Sequence, residues 1–306
     1  MDINLVINNF LEYEKKLNRS DKTLKSYKTE VNLFIKKYNI VKIDGLKILE
    51  DIHFLENIWL DDMKNEYSAS TVNKKKAPLS VFSNYLVLQG LIKENKIKLI
   101  SNIKTNNKKI EVYTSEEINN ILNLLDKKYI QENNTLSKNI NLMYKTIFNM
   151  LYNLALRNEE VTRIKISDIN LNTGLMYVRC KGGKGEITDK SKMNKETLNI
   201  VKQWLEVRKN IDAKEGYEDI LFISPKSKKG LTTEAIRKHF KEIKKELNIE
   251  GDKMIHTIRH TKASELIAKG VEVKKVSLFL HHANQNTTEK YYIHNTEGVL
   301  EELSKM

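Results

Sequence analysis

HTIRHTKASELIAKGVEVKKVSLFLHHANQNTTEKYY, residues 256–292, carries most of the chemistry-bearing side chains of this chain. His256, Arg259 and His260 stand at i, i+3 and i+4, so a helix places all three on one face. His281 and His282 follow, then Tyr291 and Tyr292, and five of the seven histidines lie between residues 256 and 294. A lone helical histidine is most often buried and hydrogen-bonded, whereas a cluster holding an arginine points to a site. The arginine opposes a divalent cation, and no carboxylate stands between His256 and His260 to offset it. It suits a phosphate, because a guanidinium offers two parallel donors to two non-bridging oxygens. A neighbouring imidazole adds a donor or exchanges a proton.

Upstream, MLYNLALRNEEVTRIKISDIN spans residues 150–170 and ends one apolar helix at Arg157 before opening another. Arg157 is placed either to cap that junction by pairing with Glu160 or to be aimed by the pairing into a site. The hydrophobic period then changes. ISDIN, an Asn-Thr-Gly turn at 172–174, LMYVRC, KGGKG and EITDKSK read as a small three-stranded antiparallel sheet. KGGKG at 181–185 sits in a strand-to-strand turn, and a phosphate cradle needs a helix start right after it. No GxxxxGK[ST], GxGxxG or HExxH occurs. Helices are predicted at 115–125, 138–155, 159–164, 194–210, 233–247, 257–269 and 272–280, with short ones around 287–293 and 297–305.

The first 95 residues read as a separate helical unit. Leu5, Val6, Phe10, Tyr13 and Leu17 mark one amphipathic helix, and Leu24, Tyr27, Val31, Phe34 and Tyr38 mark a second after Ser20. A third is predicted at 54–66 and a fourth from Ser70 to Gly90, with Pro78 expected to kink or restart it. Residues 96–112 are polar, basic and aperiodic, which suits a linker. Thr114 and Glu117 form a capping-box signature for the next helix. The fold class expected is mainly α with a small antiparallel β-sheet, a helical domain over 1–95 and an α+β domain over 113–306.

The chain has 306 residues, 53 Lys+Arg against 40 Asp+Glu, and a net charge of +13. The excess is spread over both halves, so neither is a mere basic tail, and nucleic acid is the commonest polyanion partner for such a surface. The single cysteine, Cys180, excludes a disulfide scaffold and a Cys-rich metal site. No apolar run of membrane-spanning length and no signal-peptide layout is present, so a cytoplasmic protein without membrane association is expected.

LALRNEEVTRIKISDIN, HTIRH, LHH and TTEKYY, in this order and spacing, resemble the tyrosine recombinase (phage integrase) family. SDKTLKSYKTEVNLFIKKY resembles that family's helical core-binding domain, so the likeness covers nearly the whole chain. By this resemblance Arg157 is the first catalytic arginine and Glu160 its supporting acid. Lys181 matches the lysine of the catalytic β-hairpin, with Lys184 as the alternative, since Cys180 replaces the first glycine of the usual Gly-Lys-Gly-x-Lys pattern. His256 and Arg259 match the His-x-x-Arg box. His282 matches the histidine of the Leu-Gly-His box, although His281 takes the place of its glycine. Tyr291 has the usual nucleophile spacing, nine residues after His282, and Tyr292 beside it remains the alternative.

The resemblance implies strand exchange on double-stranded DNA through a 3′-phosphotyrosyl intermediate and a Holliday junction. It implies no metal or other cofactor. It implies a homo-tetramer on two DNA sites, or a paralogous recombinase as partner. Size favours Xer-type resolvases or small integrases and invertases of mobile elements. EGVLEELSKM at 297–306 reads as an amphipathic tail helix that docks on its own domain or, as the family implies, on the next subunit. Three rival readings are a catalytically silent DNA-binding protein, a type IB-like topoisomerase and a metal-dependent hydrolase built on the histidines. Loss of the nucleophile or an arginine would mark the first. Strand exchange between two marked sites excludes the second, and sensitivity to chelators would mark the third.

Overall fold

Side-chain caps set where the first helices begin. Asp2 accepts from the Asn4 amide and opens α1 (Ile3–Lys16), and Ser20 accepts from the Thr23 amide and opens α2 (Asp21–Lys37). Their apolar faces bury Val6, Ile7, Phe10, Val31 and Phe34. A 3-10 helix, Ile43–Glu50, follows and adds the fully buried Leu46 and Leu49. Asp51 then caps α3 (Ile52–Phe54), which runs through a π-turn at Leu55–Trp59 into α4 (Leu60–Glu66). The computed structural model describes residues 2–105, 111–179 and 189–281, and its contacts divide the chain into two units, Met1–Lys108 and Lys109–Met306.

The first unit closes on α5 (Ala69–Leu88). Pro78 does not restart this helix, which runs unbroken through it. The carbonyl that a proline at 78 leaves without a donor belongs to exposed Lys74, where water can reach it. Leu79, Phe82 and Leu86 hold the following turns in the core, and Phe82 meets Phe10 edge-on at 5.1 Å. Residues at the start of the expected linker are packed as well. Lys96–Leu99 is a 3-10 turn, Ile97 and Ile100 are buried, and the Asn73 amide pairs with both the N–H and the carbonyl of Ile103. The packed chain therefore extends into the 96–112 stretch.

In the second unit the capping box of Thr114 and Glu117 opens α6 (Ser115–Gln131). The long α7 (Thr135–Asn153) is its centre, with Ile147, Phe148 and Met150 wholly buried. After a tight turn, α8 (Asn158–Val161) leads to a 3-10 turn at Ile166–Asp168 and the sheet, so most of ISDIN is turn rather than strand. Strands β1 (Ile169–Asn170), β2 (Leu175–Val178) and β3 (Asp189–Lys192) pair antiparallel in sequence order, with Met176 opposite Ser191 and Val178 opposite Asp189. Gly174, at φ +71, makes the β1–β2 turn that the sequence placed there. A bidentate pair, Arg179 with the buried Asp168 at 2.7 and 3.1 Å, ties the end of β2 to the 3-10 turn. Among the described residues, helices α9 (Lys195–Lys209), α10 (Thr233–Glu246), α11 (Ile255–Ala268) and α12 (Val273–Phe279) follow. Among the described residues no helix is long and apolar enough to cross a membrane.

Candidate active site

A small apolar cluster brings the site residues together. Ala155, Ala263, Val276 and Leu280 are each wholly buried and pack on one another, drawing the turn after α7 against α11 and α12. Arg157 lies two residues after Ala155, Arg259 one turn before Ala263, and His281 right after Leu280.

Arg157 is the N-cap residue of α8, and Glu160 folds back onto it. One carboxylate oxygen of Glu160 accepts from the Arg157 backbone amide at 2.7 Å, and the other accepts from Arg157 Nη1 at 2.6 Å. Glu160 is 2 % exposed, whereas the Arg157 side chain keeps 34 % of its surface open. The carboxylate therefore clamps one edge of the guanidinium and leaves the rest accessible.

Arg259 approaches the same carboxylate from α11, with Nη1 3.7 Å from Glu160 Oε2. It is buried, and it donates to two backbone carbonyls, Ala155 at 2.8 Å and Leu280 in a short contact. Two guanidinium groups thus share one buried anion. Their repulsion is offset, and one net positive charge remains for an incoming anion. The structure thus brings Arg157 and Arg259, far apart in sequence, to one carboxylate.

His256 lies on the exposed side of α11 and His260 on a half-buried side, with their rings 6.0 Å apart and nearly perpendicular. Burial, then neighbouring His256 and Arg259, push His260 down to about 4 from 6.5, so it is neutral at pH 7. Among the described residues no group of three or more His, Cys, Asp or Glu is arranged to hold a metal ion. Lys181, Lys184, His282, Tyr291, Tyr292 and the expected tail helix lie outside the described residues.

His281 stands where the family pattern has glycine, and its backbone explains that glycine. It follows the C-cap of α12 at φ +51, the left-handed position that favours glycine at helix ends. A side chain there costs ~1–2 kcal/mol in local strain. The carbonyls of Ala155 and Leu280 could not be read as partners of Arg259 from the sequence, because backbone acceptors carry no residue signature.

A model of the phage integrase family matches residues 111–298. The chain belongs to the phage integrase family. A tyrosine recombinase of Thermosipho africanus is 27% identical over 288 residues, covering 94% of this chain and 94% of that protein. The tyrosine recombinase XerD of Listeria innocua is 26% identical over 312 residues, covering 99% and 98% of the two chains. Among solved structures, the XerH site-specific recombinase bound to a palindromic difH substrate superposes with a TM-score of 0.70 at 22% identity, covering 99% of this chain and 95% of that one. The Tn1549 transposon integrase (residues 82–397, Y379F) with transposon right-end DNA gives 0.71 at 16% identity, covering 99% and 100%. At these identities the structural likeness is one of fold, a mainly helical phage integrase chain with a small antiparallel sheet.

Proposed function

We propose that the protein breaks and rejoins double-stranded DNA at specific sites through a covalent bond to Tyr291. As a member of the phage integrase family it is a tyrosine recombinase, an enzyme of site-specific DNA recombination. The observation that carries the mechanism is the sharing of the Glu160 carboxylate by Arg157 and Arg259.

A phosphodiester attacked by an oxygen passes through a five-coordinate state with added negative charge on its equatorial oxygens. Arg157 and Arg259 neutralise that charge, and His282 adds a hydrogen bond. The Tyr291 Oη attacks phosphorus and gives its proton to His256. An ordinary phenol titrates near ~10, and nearby guanidinium charge favours the phenolate. The bond to the 5′ oxygen breaks, and that oxygen takes a proton from Lys181. The DNA 3′ phosphate stays on tyrosine, so the bond energy is kept, and a 5′ hydroxyl of the partner duplex reverses the step. Lys184 and Tyr292 are the alternative acid and nucleophile.

The helical unit over 1–95 serves as the core-binding DNA domain, joined through 96–112 to the catalytic domain over 113–306. The basic surface supplies phosphate contacts with both units. The working form is a tetramer on two DNA sites, in the cytoplasm.

The test is a nicked suicide substrate carrying the site, incubated in EDTA with wild type, Tyr291→Phe and Tyr292→Phe. The expected result is a trapped protein–DNA adduct that only Tyr291→Phe loses. An adduct that survives Tyr291→Phe and disappears in Tyr292→Phe moves the nucleophile, and no adduct from wild type removes the reading.

A further inference from the structure

His281 is buried, with 3 % of its side chain exposed, although it stands in a left-handed conformation that glycine adopts without strain. Its ring reaches across to β3. Nε2 is 2.9 Å from the Ser191 hydroxyl, and Nδ1 is 2.7 Å from Asp189 Oδ2 in a close contact that lies off a good hydrogen-bond axis. Asp189 and Ser191 are two apart and share one face of the strand. The ring therefore grips the first turn of pleat after the segment that joins β2 to β3, and that segment carries Lys181 and Lys184.

The other end of the contact is equally placed. His281 follows Leu280, whose carbonyl accepts from Arg259, and Arg259 in turn donates to Ala155 beside the Arg157 turn. A continuous set of contacts thus runs from β3 to both arginines. We propose that His281 is a positioning residue, latching the root of the β2–β3 segment to the arginine pocket and so setting where the hairpin lysine delivers its proton. This rests on the proposed role of Lys181 as the acid for the 5′ oxygen.

The prediction separates a latch from a mere packing residue through the leaving group. A sulfur in place of the bridging 5′ oxygen departs as a thiolate, with a pKa near ~8.5, and needs no acid. Full-length protein is compared on nicked suicide substrates with oxygen or sulfur at that position, using wild type, His281→Gly and His281→Asn. Glycine keeps the backbone and removes the latch, whereas asparagine tolerates the left-handed position and retains a donor for Asp189.

His281→Gly is expected to slow adduct formation at least about tenfold on the oxygen substrate and less than about threefold on the sulfur substrate, at unchanged DNA affinity in a mobility shift. His281→Asn is expected to recover most of the oxygen rate. Equal slowing on both substrates, or none on either, overturns the latch. If wild type forms an adduct on neither, the proposed function fails and takes the latch with it, whereas wild-type cleavage of both leaves the latch judged on its own.

Discussion

Arg259 Nη1 donates to the backbone carbonyl of Ala155 across 2.8 Å, joining positions 104 residues apart. Ala155 itself is wholly buried and stands at φ +48, in the left-handed region. Two residues later the chain presents Arg157. One strained peptide therefore fixes the exit of α7, anchors one arginine and directs the other.

The Ala155 junction is exposed to a single methyl-scale test. A β-branched residue adopts positive φ poorly, and its added carbons have no room in a wholly buried position. Ala155→Val is expected to cost ~2–4 kcal/mol in urea unfolding, with loss of cleavage, although no charge has changed. Ala155→Gly relieves the strain but gives up methyl packing and chain stiffness, so it should stay within ~1 kcal/mol of wild type. A valine variant as stable as wild type would show that the junction carries no such constraint.

Arg259→Lys keeps the charge and loses the fork. One ammonium cannot serve the carbonyls of both Ala155 and Leu280 and still face Glu160. The expected result is a drop in cleavage of about 100-fold or more, with DNA affinity nearly unchanged, because phosphate contacts over the whole surface hold the duplex. Arg157→Lys should lose rate similarly but stability less, since its side chain is one-third open. The measurement is adduct formation against mobility shift on the same DNA.

Much of this was legible in the sequence, and what was not has identifiable causes. Glu160 three residues after Arg157 gave the clamp, because that spacing closes one helical turn. Thr114 and Glu117, and the short apolar run Leu175–Val178 after the Asn-Thr-Gly turn, placed a helix start and a strand. The restart expected at Pro78 does not occur, since packing of the turn after it outweighs the local penalty of proline. Ile97, Ile100 and Ile103 sit among lysines and asparagines in a stretch too short for a helical period to emerge, so packed chain read as linker. The strained backbone at Ala155 left no compositional trace, whereas that at His281 was marked only by the glycine it replaces.

Acid should weaken the fold through two histidines. Burial pushes His239, stacked 3.6 Å over the Tyr144 ring, down to about 4 from 6.5, and His260 likewise. The unfolded chain takes up these protons as pH falls below 6.5, while the folded chain resists until about 4. Stability is therefore full above pH ~7 and falls between 6.5 and 4, by ~2–3 kcal/mol for each histidine. His239→Gln should flatten the fall in urea midpoint between pH 7 and 5, and an unchanged slope would remove His239 from the account.

Glu160→Gln sets charge against placement. The amide keeps one acceptor oxygen but turns an NH2 toward a donor, either the Arg157 amide or its guanidinium. Two guanidinium groups then face each other with no buried counter-charge, which should cost ~2–4 kcal/mol of stability. The same change raises the positive field that meets the DNA phosphate, so binding should hold or tighten. Cleavage should nevertheless slow by about tenfold or more, because the five-coordinate phosphate needs donors in fixed positions and the clamp on Arg157 has been loosened. Mobility shift and adduct formation on the same nicked substrate read the two effects apart. A rate that rose with affinity would mean that net charge, rather than the orientation imposed by Glu160, governs the chemistry.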